Sequence, residues 1–308
     1  MKTAPPPPAA AKPQIKDDGA KQILAKGTTC KISDSHELPM DCAEYKAIGE
    51  YAFQKQGDAA VAETCAAFLT DPDLGKRLLA AECIYKLNAV GKTPVLGAAL
   101  DALETEKDPL VKVRIAWGIS GAEAVTAKLD DRVLAVVNKL AADPLTELAA
   151  GYLFASLFPQ YMMGSGPKPP AKAQALAIDA IGRDNKSMQN AAFNAIRMLD
   201  DKPAVCAALK AIIRPDAKSW PNAAAAMAQL KDACVADVPR VIDLTLDQMA
   251  KGEMHLDVLK DFDRAFELDA PTRAKIAKAC KASRSKAPDW ERKSVDEVAA
   301  AFAKPKPH

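Results

Sequence analysis

Apolar residues recur three and four positions apart along most of the chain, which is the spacing of helices that bury one face. Before the middle of the chain these runs form three pairs: 58–69 with 73–88, 93–105 with 109–119, and 130–142 with 144–158. The two runs of each pair are separated by a short turn: Asp71-Pro72, Asp108-Pro109 and Asp143-Pro144. Pro suits the first position of a helix, and a preceding Asp can cap its free amides. The pattern therefore predicts three helical hairpins.

The same pattern continues beyond a Gly- and Pro-rich break at 159–170, which we interpret as a loop insertion. Three more hairpins are predicted there: 171–182 with 186–199, 203–213 with 221–234, and 237–250 with 254–268. A capping helix is predicted over 41–56, and further capping helices after Pro271. The predicted organisation is as follows: a flexible Pro/Ala-rich tail and irregular segment over 1–40, repeats over 41–158, the insertion over 159–170, further hairpins over 171–270, and basic capping helices with a tail over 271–308.

The turns also fix a repeat length, because the Asp residues at 71, 108 and 143 are 37 and 35 residues apart. Periods of this size are typical of stacked helical hairpins. Aromatic residues make up only 5% of the chain, which favours close-packed helices over a sheet. We predict an all-α fold, an α-solenoid of about six stacked helical hairpins with capping helices.

Residues 108–119 resemble the second-helix motif of HEAT repeats, with a turn Asp, a Val-Arg pair and small residues after it. Asp71 and Arg77 repeat the six-residue spacing of Asp108 and Arg114. The resemblance covers about residues 58–270. It implies that these four side chains form a ladder between neighbouring repeats, and it bears on the fold and not on an activity.

Charge argues against nucleic acid as a partner. The chain holds 42 basic and 40 acidic residues, but 271–308 alone carries ten Lys/Arg against four Asp/Glu. The remaining residues therefore have a net charge of −4, so they lack the positive field that phosphate binding needs. No apolar run approaches the length of a membrane span.

Candidate catalytic and metal-binding residues are few. The sequence contains three histidines and no phosphate loop, nucleophile elbow or metalloprotease motif, so we predict no catalytic residue and no cofactor. Cys30, His36 and Cys42 lack a fourth zinc ligand, so a disulfide is favoured over a metal site. Trp117 is expected in the core, within its helix.

The seven cysteines favour an oxidising compartment. Six of them fall into neighbouring couples, with Cys280 left over: Cys30 with Cys42, Cys65 with Cys83, and Cys206 with Cys234. We predict three disulfides in an exported or periplasmic protein whose signal is absent from this sequence; a removed lipid anchor is another explanation of the Pro-rich start. The alternative is a reduced cytoplasmic protein in which all seven are buried apolar residues.

The insertion carries a short apolar cluster, Tyr161, Met162 and Met163, which is a candidate contact for a protein partner. Taken together, these features favour a non-enzymatic protein-protein interaction scaffold that binds its partner on the curved face of a HEAT-like solenoid. Two alternatives come from the resemblance: a nucleic-acid-acting enzyme of the DNA glycosylase type, or a bilin lyase.

Overall fold

The computed structural model describes residues 13–30, 41–87, 95–120, 130–158, 169–183 and 186–304. These residues form sixteen α-helices and no β-strand, which confirms the all-α prediction. Their bounds are α1 Asp18–Leu24, α2 Ala43–Gln54, α3 Ala59–Phe68, α4 Leu74–Leu87, α5 Val95–Thr105, α6 Pro109–Ser120, α7 Asp130–Ala141, α8 Glu147–Ala155, α9 Ala171–Gly182, α10 Lys186–Ala195, α11 Lys202–Ile212, α12 Trp220–Ala228, α13 Val238–Lys251, α14 Leu256–Ala265, α15 Ala270–Ser283 and α16 Arg292–Phe302. Within the described ranges, no helix has the length and apolar content to cross a bilayer.

The predicted helices lie within a few residues of the observed ones. Differences concern helix ends: 3₁₀ turns occupy Pro144–Thr146, Ile196–Met198 and Lys231–Asp237, where longer α-helices were predicted. Helix α1 was not predicted, because residues 1–40 were expected to form a tail and an irregular segment. Its N-terminus is capped by the Asp17 carboxylate, which accepts from the Ala20 amide at 2.7 Å.

The chain divides into two compact units, residues 1–173 and 174–308. In unit 1, each helix of a hairpin packs on its partner, and hairpins pack on their neighbours. One row consists of α2, α4, α6 and α8, and the other of α3, α5 and α7. In each row, successive helices are in contact, so α4, α6 and α8, the second helices of the three hairpins, lie side by side, with α2 next to α4.

Unit 2 has one comparable row. Its row of second helices is α10, α12, α14 and α16, and α13 packs between the Lys231–Asp237 segment and α15. The predicted C-terminal capping helices α15 and α16 pack against each other as a further hairpin.

Aspartates cap the helices at the turns, with one change from the prediction. Asp108 accepts from the Leu110 amide at 2.9 Å, and Pro109 is the first residue of α6. Asp143 caps the 3₁₀ turn before α8. Before α4, however, the cap is Asp73 and not Asp71. Asp73 accepts from the Lys76 amide at 2.9 Å because α4 begins two residues later than Pro72.

The three predicted cysteine couples are at disulfide distance in the structure. Cα–Cα distances are 6.1 Å for Cys30–Cys42, 6.1 Å for Cys65–Cys83 and 5.7 Å for Cys206–Cys234. They join the segment after α1 to the start of α2, α3 to α4, and α11 to the Lys231–Asp237 segment. Such pairs are compatible with an oxidising compartment. Cys280 is unpaired and buried in α15, and burial raises the pKa of its thiol to about 11.

Candidate binding surface

Three half-buried aromatic side chains form a continuous row across the second helices of unit 1. Tyr85 lies on α4, Trp117 on α6 and Tyr152 on α8. The ring centroids of Tyr85 and Trp117 are 4.5 Å apart, and the Trp117 and Tyr152 rings are stacked at 5.2 Å. We call Tyr85, Trp117 and Tyr152 the aromatic row. It corrects the expectation for Trp117, which is partly exposed because it sits at the edge of the core.

A glycine lets two helices of this row approach closely. A Cβ atom at Gly118 would lie 2.9 Å from Ile84 Cγ2 and 3.1 Å from the backbone nitrogen of Tyr85. No larger residue fits there unless α6 moves away from α4. Gly118 therefore permits the close packing of α6 on α4 beside the contact of Trp117 with Tyr85.

A buried arginine supports the aromatic row from below. Arg114 is only 6% exposed, and its guanidinium carbon is 5.4 Å from the Trp117 ring centroid and 6.0 Å from that of Tyr85. Its Nη1 is 3.7 Å from an oxygen of Glu82. Arg114 therefore lies within cation–π distance of Tyr85 and Trp117, and it also pairs with Glu82 on the neighbouring helix α4.

Glu82 is fully buried, which is unusual for a carboxylate. Lys86 Nζ lies 3.8 Å from it, and among the described residues neither of its oxygens has a hydrogen-bond partner of good geometry. Burial raises the pKa of Glu82; the Tyr45 hydroxyl, Arg114 and Lys86 oppose this shift, and burial prevails. Burial and the nearby Glu82 charge likewise raise the pKa of Tyr45.

Above Glu82 a cavity of about 420 Å³ opens between α2 and α4. We call it the Glu82 pocket; it is lined by Tyr45, Lys46, Gly49, Glu50, Phe53, Glu82 and Lys86. Tyr45, Gly49 and Phe53 are four residues apart on α2, so they share one face of the helix. Gly49 lies between the two rings, and a Cβ atom there would be 3.8 Å from Glu82 Oε1, so the buried Glu82 side chain lies against the backbone of α2.

The predicted stacking residues make other contacts than the HEAT resemblance implies. Arg77 forms an ion pair with Glu106 at 2.7 Å and donates to the backbone oxygen of Asp71 at 3.0 Å. Asp108 caps α6. Arg114 pairs with Glu82. The two arginines therefore connect neighbouring hairpins through glutamates, whereas the resemblance implies a ladder of Asp and Arg side chains.

The other predicted contact, Tyr161, Met162 and Met163, lies outside the described residues, as does His36. The aromatic row was not among the surfaces predicted from the sequence. A signal for it exists, because Tyr85, Trp117 and Tyr152 are 32 and 35 residues apart, close to the spacing of the Asp-Pro turns. In a chain with few aromatic residues, rings that recur once per hairpin indicate a shared surface.

Comparisons with protein-family models, with curated proteins and with solved structures find no match for this chain. The likeness to HEAT repeats thus rests on the motif of residues 108–119 and on the hairpin period.

Proposed function

We propose that this protein is a non-enzymatic scaffold that binds a protein partner across the aromatic row of unit 1. The observation that carries the proposal is the continuous contact of Tyr85, Trp117 and Tyr152, which come from three successive hairpins. Each hairpin contributes one ring, so the row is formed by stacking the hairpins side by side. We further propose that the hairpins belong to a HEAT-like α-solenoid and that the protein works in an exported, oxidising setting.

The chemistry of the row suits protein recognition. Tyr, Trp and Arg are the residue types that contribute most to binding at protein interfaces. Here the rings are already held by one another and by Arg114, so little side-chain freedom is lost when a partner binds. The half-buried rings retain an exposed part for the partner to cover.

The packing of unit 1 supports the solenoid. The second helices α4, α6 and α8 contact in chain order, as the stacking of equivalent repeats requires, and α2 covers α4 at one end of the row. The three cysteine pairs at disulfide distance support the oxidising setting.

A photo-crosslinking experiment tests the binding surface. Tyr152→p-benzoylphenylalanine keeps an aromatic ring in the row and places a reactive group there, and the full chain is expressed in its source cells. We expect one protein crosslinked in a stoichiometric amount at position 152. The matched control puts the same group at Lys293, which is exposed in unit 2, and should not capture that protein.

The second arm asks whether the row itself makes the contact. Adding Trp117→Ala to the crosslinking variant should abolish capture while the circular dichroism spectrum stays helical. Equal capture at 152 and 293, or capture that survives Trp117→Ala, would overturn the proposal. A salt-dependent shift of labelled DNA by the full chain would instead favour the nucleic-acid alternative.

A further inference from the structure

A groove of about 500 Å³ runs along one side of α15 in unit 2. It is formed by the side of α15 from Ala270 to Lys281 and by residues 302–304 at the end of α16, and we call it the α15 groove. The α15 residues span about 16 Å along the helix axis. On its other sides, α15 packs against α13 and α16.

The floor of the α15 groove consists of small apolar side chains. Ala270, Ala274 and Ala303 are exposed there, whereas Ala277 and Phe302 are almost completely buried. On α15, the lining positions 270, 274, 277 and 281 follow one another at intervals of four, three and four residues. This is the spacing of a seam along which a second helix packs. Because alanine is small, the backbone of such a helix can approach α15 closely.

The groove also collects the unpaired positive charge of the basic segment 271–308. Other basic side chains in the described part of this segment have partners: Lys275 pairs with Asp243, Arg284 with Asp296, Arg292 with Asp289, Lys293 with Glu297, and the Lys286 ammonium donates to the Ala250 carbonyl oxygen. By contrast, Lys278, Lys281 and Lys304 are exposed, and their ammonium groups form no ion pair with any residue that the structure describes. All three line the groove, and no acidic residue of the described chain lines it.

Arg273 lines the groove too, but it is not available to a ligand. It is almost completely buried and forms an ion pair with Asp263. Its Nε donates to the backbone oxygen of Lys304 at 3.2 Å, and its Nη2 donates to that of Ala301 at 2.9 Å. The groove therefore offers a ligand the charges of its three lysines.

We propose that the α15 groove binds an acidic amphipathic helix of a protein partner. Apolar side chains of that helix lie on Ala270 and Ala274, and its carboxylates pair with the three lysines. A single small anion fits less well, because it would contact only solvent-exposed lysine side chains and would leave the alanines uncovered. A basic helix would be repelled. This site goes beyond the proposed function, because it lies in unit 2, whereas the aromatic row lies in unit 1.

Binding of synthetic peptides to the full oxidised chain tests the site. The acidic peptide has three heptads with Leu at the a and d positions and Glu at e and g, so that repulsion between Glu residues keeps it monomeric. One comparison peptide has Lys in place of Glu, and another keeps the acidic composition but scrambles the Leu positions. Fluorescence anisotropy should show that the acidic peptide binds, that the basic one does not, and that the scrambled one binds at least about tenfold more weakly. Failure of the acidic peptide, or equal binding of the acidic and scrambled peptides, would overturn the proposal.

Two double variants test the charges. Lys278→Gln with Lys281→Gln should weaken binding of the acidic peptide about tenfold, because two of its carboxylates lose their partners. Lys275→Gln with Lys293→Gln is the matched control, since it removes the same charge outside the groove and should leave the affinity unchanged. Equal effects of the two double variants would indicate a general attraction to positive charge and would refute the site.

Two single variants test the floor. Ala274→Gln places a longer side chain in the groove and should weaken binding about tenfold, whereas Ala282→Gln, outside the groove on the same helix, should not. Both positions are exposed, so the circular dichroism spectra should stay helical. Unchanged affinity in Ala274→Gln would contradict the proposal. So would dimerisation of the parent chain that Ala274→Gln abolishes, because a second copy would then cover the groove.

These measurements are independent of the crosslinking at Tyr152. Peptide binding without a captured protein would refute only the binding surface at the aromatic row. Capture of a protein at position 152 without peptide binding would refute only the α15 groove.

Discussion

Gly118→Ala adds one methyl group where α6 packs tightly against α4. The new Cβ would be 2.9 Å from Ile84 Cγ2, 3.1 Å from the Tyr85 backbone nitrogen and 3.2 Å from its Cα. Ile84 Cγ2 is a side-chain atom and can move away. The two Tyr85 atoms belong to the backbone of α4 and cannot move unless the helix moves. We therefore expect α6 to move outward and the free energy of unfolding of unit 1 to fall.

The magnitude follows from two opposing effects. Ala is favoured over Gly inside a helix by about 1 kcal/mol. Forcing a methyl group into a packed contact costs about 1–3 kcal/mol, and the backbone contact at Gly118 places this variant at the upper end. The net loss should be about 2 kcal/mol.

Gly49→Ala supplies the control, because its Cβ would lie 3.8 Å from Glu82 Oε1, which is an ordinary van der Waals distance. Only the higher helix propensity of Ala then remains, so the free energy of unfolding of this variant should rise by up to about 1 kcal/mol. The two variants should differ by about 3 kcal/mol, or roughly 6–12 °C in Tm for a unit of this size.

Hydrogen exchange with mass spectrometry during urea or thermal unfolding measures the difference in stability between the two variants, because it follows unit 1 separately from unit 2. Gly118→Ala should also reduce the protection of α6 more than that of α8. A Gly118→Ala protein as stable as Gly49→Ala would refute the close approach of α4 and α6, and with it the contact between Tyr85 and Trp117.

Three further predictions concern the cysteines and Glu82. Alkylation of the denatured chain without reductant should modify Cys280 alone, as read by mass spectrometry, whereas modification of all seven cysteines would refute the disulfides. Replacing Cys206 and Cys234 together by Ala should lower the urea-derived unfolding free energy of unit 2 by about 3–4 kcal/mol, because the bond closes a loop of 28 residues; an unchanged value would show that it does not constrain the unfolded chain. The pKa of Glu82 is raised in the folded state, so the parent chain should lose stability relative to Glu82→Gln as pH rises from the ordinary value of 4.5 through the folded pKa. Parallel unfolding free energies of the two proteins between pH 4 and 7 would contradict this.

Much of the helical pattern follows from the sequence, because it depends on contacts that each helix makes along its own length. The start of α6 was predictable, since Asp108 and Pro109 form a local cap. Helix α1 was not predictable, because it has only seven residues and because the residue before it, Asp17, contacts side chains that are distant in the sequence. Asp17 accepts from the Tyr51 hydroxyl at 2.9 Å, and its amide donates to Thr64 Oγ1 at 2.9 Å.

The candidate site was less accessible to such reasoning. Arg77 has an Asp six residues before it, but its partner Glu106 comes from the next hairpin, and a contact between hairpins cannot be predicted from the pattern of one helix. The same holds for Trp117, whose exposure depends on how far α6 stands out from α4 and α8. Helical periodicity identifies the inner face of one helix, and it carries no information about the angle between two.

The order of the cysteines in the chain has a consequence for biogenesis. Each disulfide links cysteines that are consecutive in the sequence: first with second, third with fourth, and fifth with sixth. A chain that is oxidised as it emerges N-terminus first can close every bond before the next couple arrives. Native pairing then needs no exchange between wrong partners, and the last thiol, Cys280, emerges after all the others are bonded.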